Sequence, residues 1–269
     1  MTWNRSAGEL RRIGIVVIAT LVVIAAVVYW GFPIALSVHM ARTVPPIARV
    51  APVELTDASL SAATGQKVSY FGYEFELPWN DLDPSQTRLY PEMNPNRVVL
   101  TFRSGLRVSF AAVEAKEYIT ETASMAELSP EQFEAAFGMG TAQSDYTFLR
   151  KVYELTPETM HYWSLSPAVH RRECLLLTIK SIILPSSAQS GVFKIQSHEY
   201  QGFQQGNPRV HPNSLSVALY SENGSVDFIL GQVHYKNPAG VSQPEINRLV
   251  QSLHKISATQ DTASAHGIQ

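Results

Sequence analysis

The sequence predicts an α+β protein carried by a single N-terminal transmembrane helix, with a mainly antiparallel sheet and helices packed on one face. Three observations predict it. An uncharged apolar run opens the chain, apolar residues alternate in hairpin fashion near both ends of the remaining polypeptide, and helical start and stop signals gather in the middle and at the C-terminal end.

Between Ile13 and Leu36 no residue is charged, and most are aliphatic or β-branched. At about 1.5 Å per residue such a helix reaches roughly 36 Å, against a hydrocarbon core of about 30 Å. The run is therefore expected to meet the lipid bilayer as a span. Arg5, Arg11 and Arg12 precede it, Arg42 and Arg49 follow, and Tyr29 and Trp30 stand where an interfacial aromatic belt would lie. That bias predicts a cytoplasmic flank over residues 1–12 and an extracytoplasmic C-terminal domain, periplasmic in a bacterium. A cleaved secretory signal has a core of only about 7–15 apolar residues, so the triplet Ala35, Leu36, Ser37 lies too far along to be the expected processing site.

Residues 37–56 contain three prolines and read as a stiff tether. The folded domain is expected over residues 57–257, with a short helical turn near its start. Phe71, Tyr73, Phe75 and Leu77 alternate with polar neighbours up to Pro78, a half-buried strand. After a turn-rich segment, Val98, Leu100 and Phe102 alternate, Ser104 and Gly105 turn, and Leu106, Val108 and Phe110 alternate back. Ser129, Pro130 and Gln132 form a capping-box start to a helix carrying Phe133 and Phe137, stopped by Gly138. A second helix is expected over residues 145–153. A third begins with Ser166 and Pro167 and ends before Pro185; its strongly apolar part is about 11 residues, too short to cross a bilayer. The stretch GVFKIQS reads as a strand and YQGFQQGNP as a loop. Leu215, Val217 and Leu219 then lead through Asn223 and Gly224 to Val226, Phe228 and Leu230, the strongest hairpin pattern in the chain. A helix capped by Ser242 and Glu245 closes the domain, with Ile246, Leu249, Val250, Leu253 and Ile256 on one face, and residues 258–269 read as a disordered tail. The order GYEFELPW, hairpin, central helices, hairpin and amphipathic helix resembles the Mog1/PsbP-type sandwich over about half the chain. That resemblance implies a fold and carries no functional motif.

Composition excludes some functions. From residue 43 onward acidic side chains outnumber basic ones by about five, so no nucleic-acid partner is expected. The only cysteine, Cys174, lies in an aliphatic stretch and reads as a small core residue. No phosphate-binding glycine loop, GxSxG, HExxH or paired CxxC occurs, and no cofactor is expected. The histidines follow no ligand spacing; His198 and Glu199 are the one His-Glu neighbour pair and read as solvated surface. Asp81, Asp83, Ser85, Thr87 and Glu92 fall at the oxygen-ligand positions of a calcium loop, yet Gln86 replaces the turning glycine and Pro84 intrudes. Asn223, Gly224 and Ser225 match a glycosylation sequon that the hairpin turn already explains. A candidate ligand surface is Tyr200, Gln201, Phe203, Gln204, Gln205 and Asn207, where neutral amides beside aromatic rings suit a saccharide or a peptide strand. His161, Tyr162 and Trp163 form a similar cluster. The expected function is a non-enzymatic binding module for an envelope protein or polar ligand. The alternatives are an extracytoplasmic hydrolase with a site built from scattered residues, and a calcium-dependent binding domain.

Overall fold

The computed structural model describes residues 16–62, 65–91, 95–125, 127–137, 144–211, 213–222, 224–232 and 240–256. The expected N-terminal flank and C-terminal tail, the first residues of the span, Glu92, Gly138 and Asn223 lie outside the described residues.

Helix α1 (Val16–Thr43) is long and apolar enough to cross a membrane, and its first half is almost wholly exposed. It widens to a π-turn over Val27–Gly31. Pro33 is the physical cause: it has no N–H to give the Tyr29 carbonyl, and its ring would collide with that carbonyl in a regular α-helix. From Pro33 onward one face of α1 is buried against α5 (Pro167–Ile183). Leu36, Met40 and Ala41 pack on a small core of Val44, Ala48, Met160, Cys174 and Leu177. Fully buried Ser37 lies 3.1 Å from His170 Nδ1 and 3.5 Å from Cys174 Sγ.

The expected tether is a packed part of the domain. Ile47 and Ala48 are buried in a 3-10 turn (Pro46–Arg49), and β1 (Pro52–Glu54) pairs in parallel with β7 (Val192–Gln196). Three prolines suit this course as well as a free linker, because an edge strand and a 3-10 turn both tolerate a missing N–H. The correction came from tertiary contacts that composition does not encode.

The other strands are β2 (Gln66–Tyr70), β3 (Tyr73–Leu77), β4 (Arg88–Leu89), β5 (Arg97–Thr101), β6 (Leu106–Val113), β8 (Gln201–Gln205), β9 (Ser214–Ser221), β10 (Gly224–Gln232) and β11 (His254–Lys255). Eight form one mixed sheet in the order β1-β7-β8-β9-β10-β6-β5-β4, antiparallel apart from β1 and β7. The hairpin registers follow the apolar alternation: Leu219 faces Val226, Val217 faces Phe228, Val98 faces Phe110 and Leu100 faces Val108. A smaller sheet, β11-β3-β2, contains the hairpin turned by Phe71 and Gly72, both at positive φ. Phe71 was expected inside the strand; the alternating pattern continues through a turn of two left-handed residues, which periodicity alone does not reveal.

Alternation sorts the large sheet's two faces. Phe110, Val217, Leu219 and Phe228 point into a core shared with Tyr73, Phe75 and Leu77 of β3 and with Ile246, Leu249 and Val250 of α6 (Gln243–Ser252). Phe203, Ala218 and Tyr220 point the other way, into a core with α2 (Glu117–Met125), α3 (Pro130–Phe137), α4 (Asp145–Glu154) and α5. The architecture is α+β in three layers, and the expectation of helices on one face is corrected, since α6 and the small sheet cover the opposite face. The sheet is sandwiched because its nominally polar face carries aromatic and alanine side chains. Gly202 of β8 is required by close packing, for a Cβ there would meet the Ala218 carbonyl oxygen at 1.9 Å.

Candidate functional site

A cleft of about 860 Å³ opens where the end of the large sheet meets α4 and the C-terminal strand. Its walls include Tyr146 from the first turn of α4, Gln201 at the start of β8, Tyr220 near the end of β9, Glu222 and Lys255. A smaller hollow of about 300 Å³ shares Tyr146, Tyr220 and Glu222 and reaches Asp145 and Ser225.

Local chemistry positions these groups. Ser144 caps α4, its hydroxyl accepting the Thr147 N–H at 3.2 Å. Tyr146 then stacks on Phe203, ring centroids 5.5 Å apart, and Arg150 lies 6.0 Å from its ring centre. The buried Asp145 carboxylate accepts the Ile119 N–H at 3.0 Å. Burial pushes its pKa upward, and hydrogen bonds from the Ile119, Tyr118 and Lys116 amides oppose that shift. Lys116 at φ +64 supplies one of these converging N–H groups, so its left-handed backbone accompanies the capture of a carboxylate.

Beneath the cleft lies a buried tyrosine and carboxylate layer. The Tyr118 hydroxyl donates to Asp227 Oδ2 at 2.6 Å, and Gln205 Nε2 donates to the Tyr153 hydroxyl at 2.7 Å. Asp227 keeps some exposure as a residue, yet its Oδ1 is enclosed and has no hydrogen-bond partner. Burial is the first cause that pushes its pKa up to about 6, against the Tyr118 hydrogen bond and the Arg97 charge. The phenols of Tyr118, Tyr153 and Tyr220 are pushed upward, first by burial. These phenols stay protonated at neutral pH, that of Tyr118 as a donor to Asp227 and that of Tyr153 as the acceptor of the Gln205 amide.

The predicted ligand stretch is mostly interior. The expected loop is strand β8, between β7 and β9, and Tyr200, Phe203, Gln204 and Gln205 are buried. Gln204 and Gln243 exchange reciprocal amide hydrogen bonds of 2.8 Å; Gln243 continues to Asn247, which holds the Asp57 and Ser59 carbonyls. Those amides knit the large sheet to α6. Asn207 binds locally, its Oδ1 accepting the Arg209 N–H. Of the predicted surface Gln201 is exposed and the buried Tyr200 lies in the wall, both on the cleft. The stretch reads as a loop because glycines and glutamines lower strand propensity, whereas Gly202 marks a close backbone approach. Tyr146, Tyr220, Asp227 and Lys255 were not anticipated as site residues. The usable signal was Ala218, Tyr220 and Asp227 on the face of the last hairpin opposite its aliphatic residues.

Asp81 and Asp83 serve local backbone: Asp81 Oδ2 accepts the Ser104 N–H at 2.7 Å, and Asp83 Oδ1 accepts from the Ser85 N–H and hydroxyl. Among the described residues, no three His, Cys, Asp or Glu side chains gather as a metal site. His198 and Glu199 are exposed, with Glu199 on the cleft. His161 pairs with the buried Glu173 at 2.5 Å, and Cys174 is buried with its thiol pKa pushed upward by desolvation. No family model matches the chain, and no curated protein or solved structure does.

Proposed function

We propose that this chain is a single-pass, membrane-anchored binding module that holds a polar, uncharged ligand, a peptide strand or a saccharide, in the cleft between Tyr146, Gln201 and Tyr220. The observation that carries the reading is the pairing of the stacked Tyr146 ring with the exposed Gln201 amide in an open cleft of about 860 Å³. Aromatic faces give stacking area and an amide gives paired hydrogen bonds, the chemistry of neutral polar recognition. The acid-base group below, Asp227, has an enclosed Oδ1, which favours a binding surface over a reacting centre. The likeness to the Mog1/PsbP-type sandwich belongs to the same proposal and rests on element order.

In this reading the N-terminal flank is cytoplasmic and the domain lies outside the cytoplasm, following the arginine bias. Because Cys174 is buried, an Ile182→Cys variant in intact cells reports orientation: a membrane-impermeant maleimide should label it. Protection until the cells are lysed would reverse the topology.

The cleft is tested by a photo-crosslinking side chain at position 201 in the full-length protein in native membranes, with position 229 as an exposed control. A discrete adduct at 201 that is lost on Tyr146→Ala supports the module. Equal, diffuse labelling at both positions, together with turnover of ester, peptide or glycoside substrates, would transfer the chain to the hydrolases.

A further inference from the structure

Helix α1 is continuous from the proposed span into the domain, so the span's exit point sets how high the domain sits. Large apolar side chains are exposed as far as Phe32, and burial against the domain begins at Pro33. From Val16 to Phe32 the helix measures about 24 Å, most of the thickness of a hydrocarbon core of about 30 Å. The bilayer surface then falls beside Tyr29, Trp30 and Phe32. Ile34 and Val38 stand about 3 and 9 Å beyond Phe32 along the helix, at headgroup depth.

At that depth the domain offers an apolar groove of about 630 Å³. Ile34, Val38 and Arg42 of α1 line one side, and Tyr162, Trp163 and Leu165 of the loop before α5 line the other. Trp163 is 95% exposed and Leu165 83%. The loop that carries them is fastened: the Tyr162 hydroxyl donates to the Pro157 carbonyl, His170 Nε2 donates to the Ser164 carbonyl at 2.7 Å, and the His161 backbone N–H donates to Glu173 at 2.9 Å. Two large apolar side chains are thus held out by a braced loop beside the lipid-facing surface of α1. Arg42 in the groove and Arg172 in the adjoining hollow with Trp163 place positive charge where lipid phosphates lie.

We infer that residues 161–165 form a second membrane contact. Trp163 and Leu165 enter the leaflet from which α1 emerges, with Arg42 and Arg172 at its phosphates, so that the domain lies on the bilayer. The inference rests on α1 spanning a membrane, as proposed above. Lipid is the occupant because the groove continues the exposed apolar surface of α1, and because tryptophan beside arginine is the chemistry of an interfacial anchor.

The test uses the full-length protein in phosphatidylcholine vesicles brominated either near the carbonyls or deep in the chains. One variant keeps Trp163 alone, with Trp3, Trp30 and Trp79 changed to Phe; a second keeps Trp30 alone. Trp163 should emit at shorter wavelength than in water and lose most of its emission to the shallow bromines, less to the deep ones. Leu165→Glu should restore that emission without altering Trp30. Quenched Trp30 beside a water-like, unquenched Trp163 overturns the loop contact and leaves the anchor standing; if neither is quenched, the span itself is wrong. A blue-shifted Trp163 untouched by either bromine means that protein, such as a second copy, covers the groove, and this also overturns the inference. Leu165→Cys carrying a polarity-sensitive fluorophore gives the same readout with the native tryptophans in place.

Discussion

Replacing Lys180 with methionine should abolish a rise in stability that the native protein shows from about pH 7 to about pH 9.5. Lys180 is wholly buried on α5, and its ammonium donates to the Tyr153 and Leu155 carbonyls at 2.8 and 2.7 Å. These are orphan carbonyls at the C-terminal end of α4, so the lysine caps one helix from the next. Burial lowers its pKa from 10.5 to about 8, and the nearby Glu158 charge opposes that shift. Between those values the unfolded chain binds more protons than the fold, so stability rises as pH rises through about 8. Integrated from about pH 7 to about pH 9.5, the gain is about 2 kcal/mol, or about 4–8 °C in unfolding midpoint for a domain of this size. Other groups act in the opposite sense. Cys174 and the buried tyrosines have raised pKa values, so their contributions are lost as pH rises through the alkaline range. They are common to both proteins, and the difference between the two curves isolates Lys180. At neutral pH methionine removes a desolvated charge and leaves two carbonyls without a donor, at about 1–3 kcal/mol each, so the effects largely offset. Thermal unfolding in nanodiscs, followed by near-ultraviolet circular dichroism at four pH values, makes the measurement. Parallel curves for the native and Lys180→Met proteins would refute the assignment.

Three further outcomes are expected. Asp227→Asn should stabilise the domain near pH 7 by up to about 3 kcal/mol and give no advantage below about pH 4, because a carboxyl raised to about 6 contributes stability at low pH that is lost as it ionises; equal midpoints at both pH values would show that the carboxylate is solvated. Gly202→Ala should cost about 3 kcal/mol or more, since the clashing atom is a backbone oxygen, and an unchanged midpoint would mean that β8 and β9 are not in the register described. Gln243→Leu should cost about 1–3 kcal/mol by stranding the Gln204 amide, and Gln204→Leu in the same chain should recover part of the loss; additive losses would show that the two amides do not pair.

Legibility followed local repetition. The central helix starts at Pro167 as its Ser-Pro signal requires, and Ser129 and Gln132 make the reciprocal capping bonds that their spacing predicts. Two hairpins are in the register read from alternating Val, Leu and Phe. What escaped were elements whose local signal is weak. β2 has only Val68 and Tyr70 to announce it, and β11 is two residues that the closing helix pattern had absorbed. The candidate site was legible in a single residue pair: Gln201 and Tyr200 reach the cleft, whereas Gln205 and Gln204 are buried and bonded to α4 and α6, and Asn207 binds within its own loop.

Composition and periodicity alone determined the long apolar helix, the α+β class and the placement of the strongest strands and helices, because each depends on neighbours a few residues apart. Only the tertiary structure decided that residues 37–56 are built into the domain, that the glutamine-rich stretch is an interior strand, and that Tyr146, Tyr220 and Lys255 share a cleft. Those outcomes depend on contacts between residues dozens to well over a hundred positions apart, such as Ser37 against His170 and Pro52 against Val192. Such partners leave no periodic trace in either segment, so packing had to bring them together before their chemistry could be read.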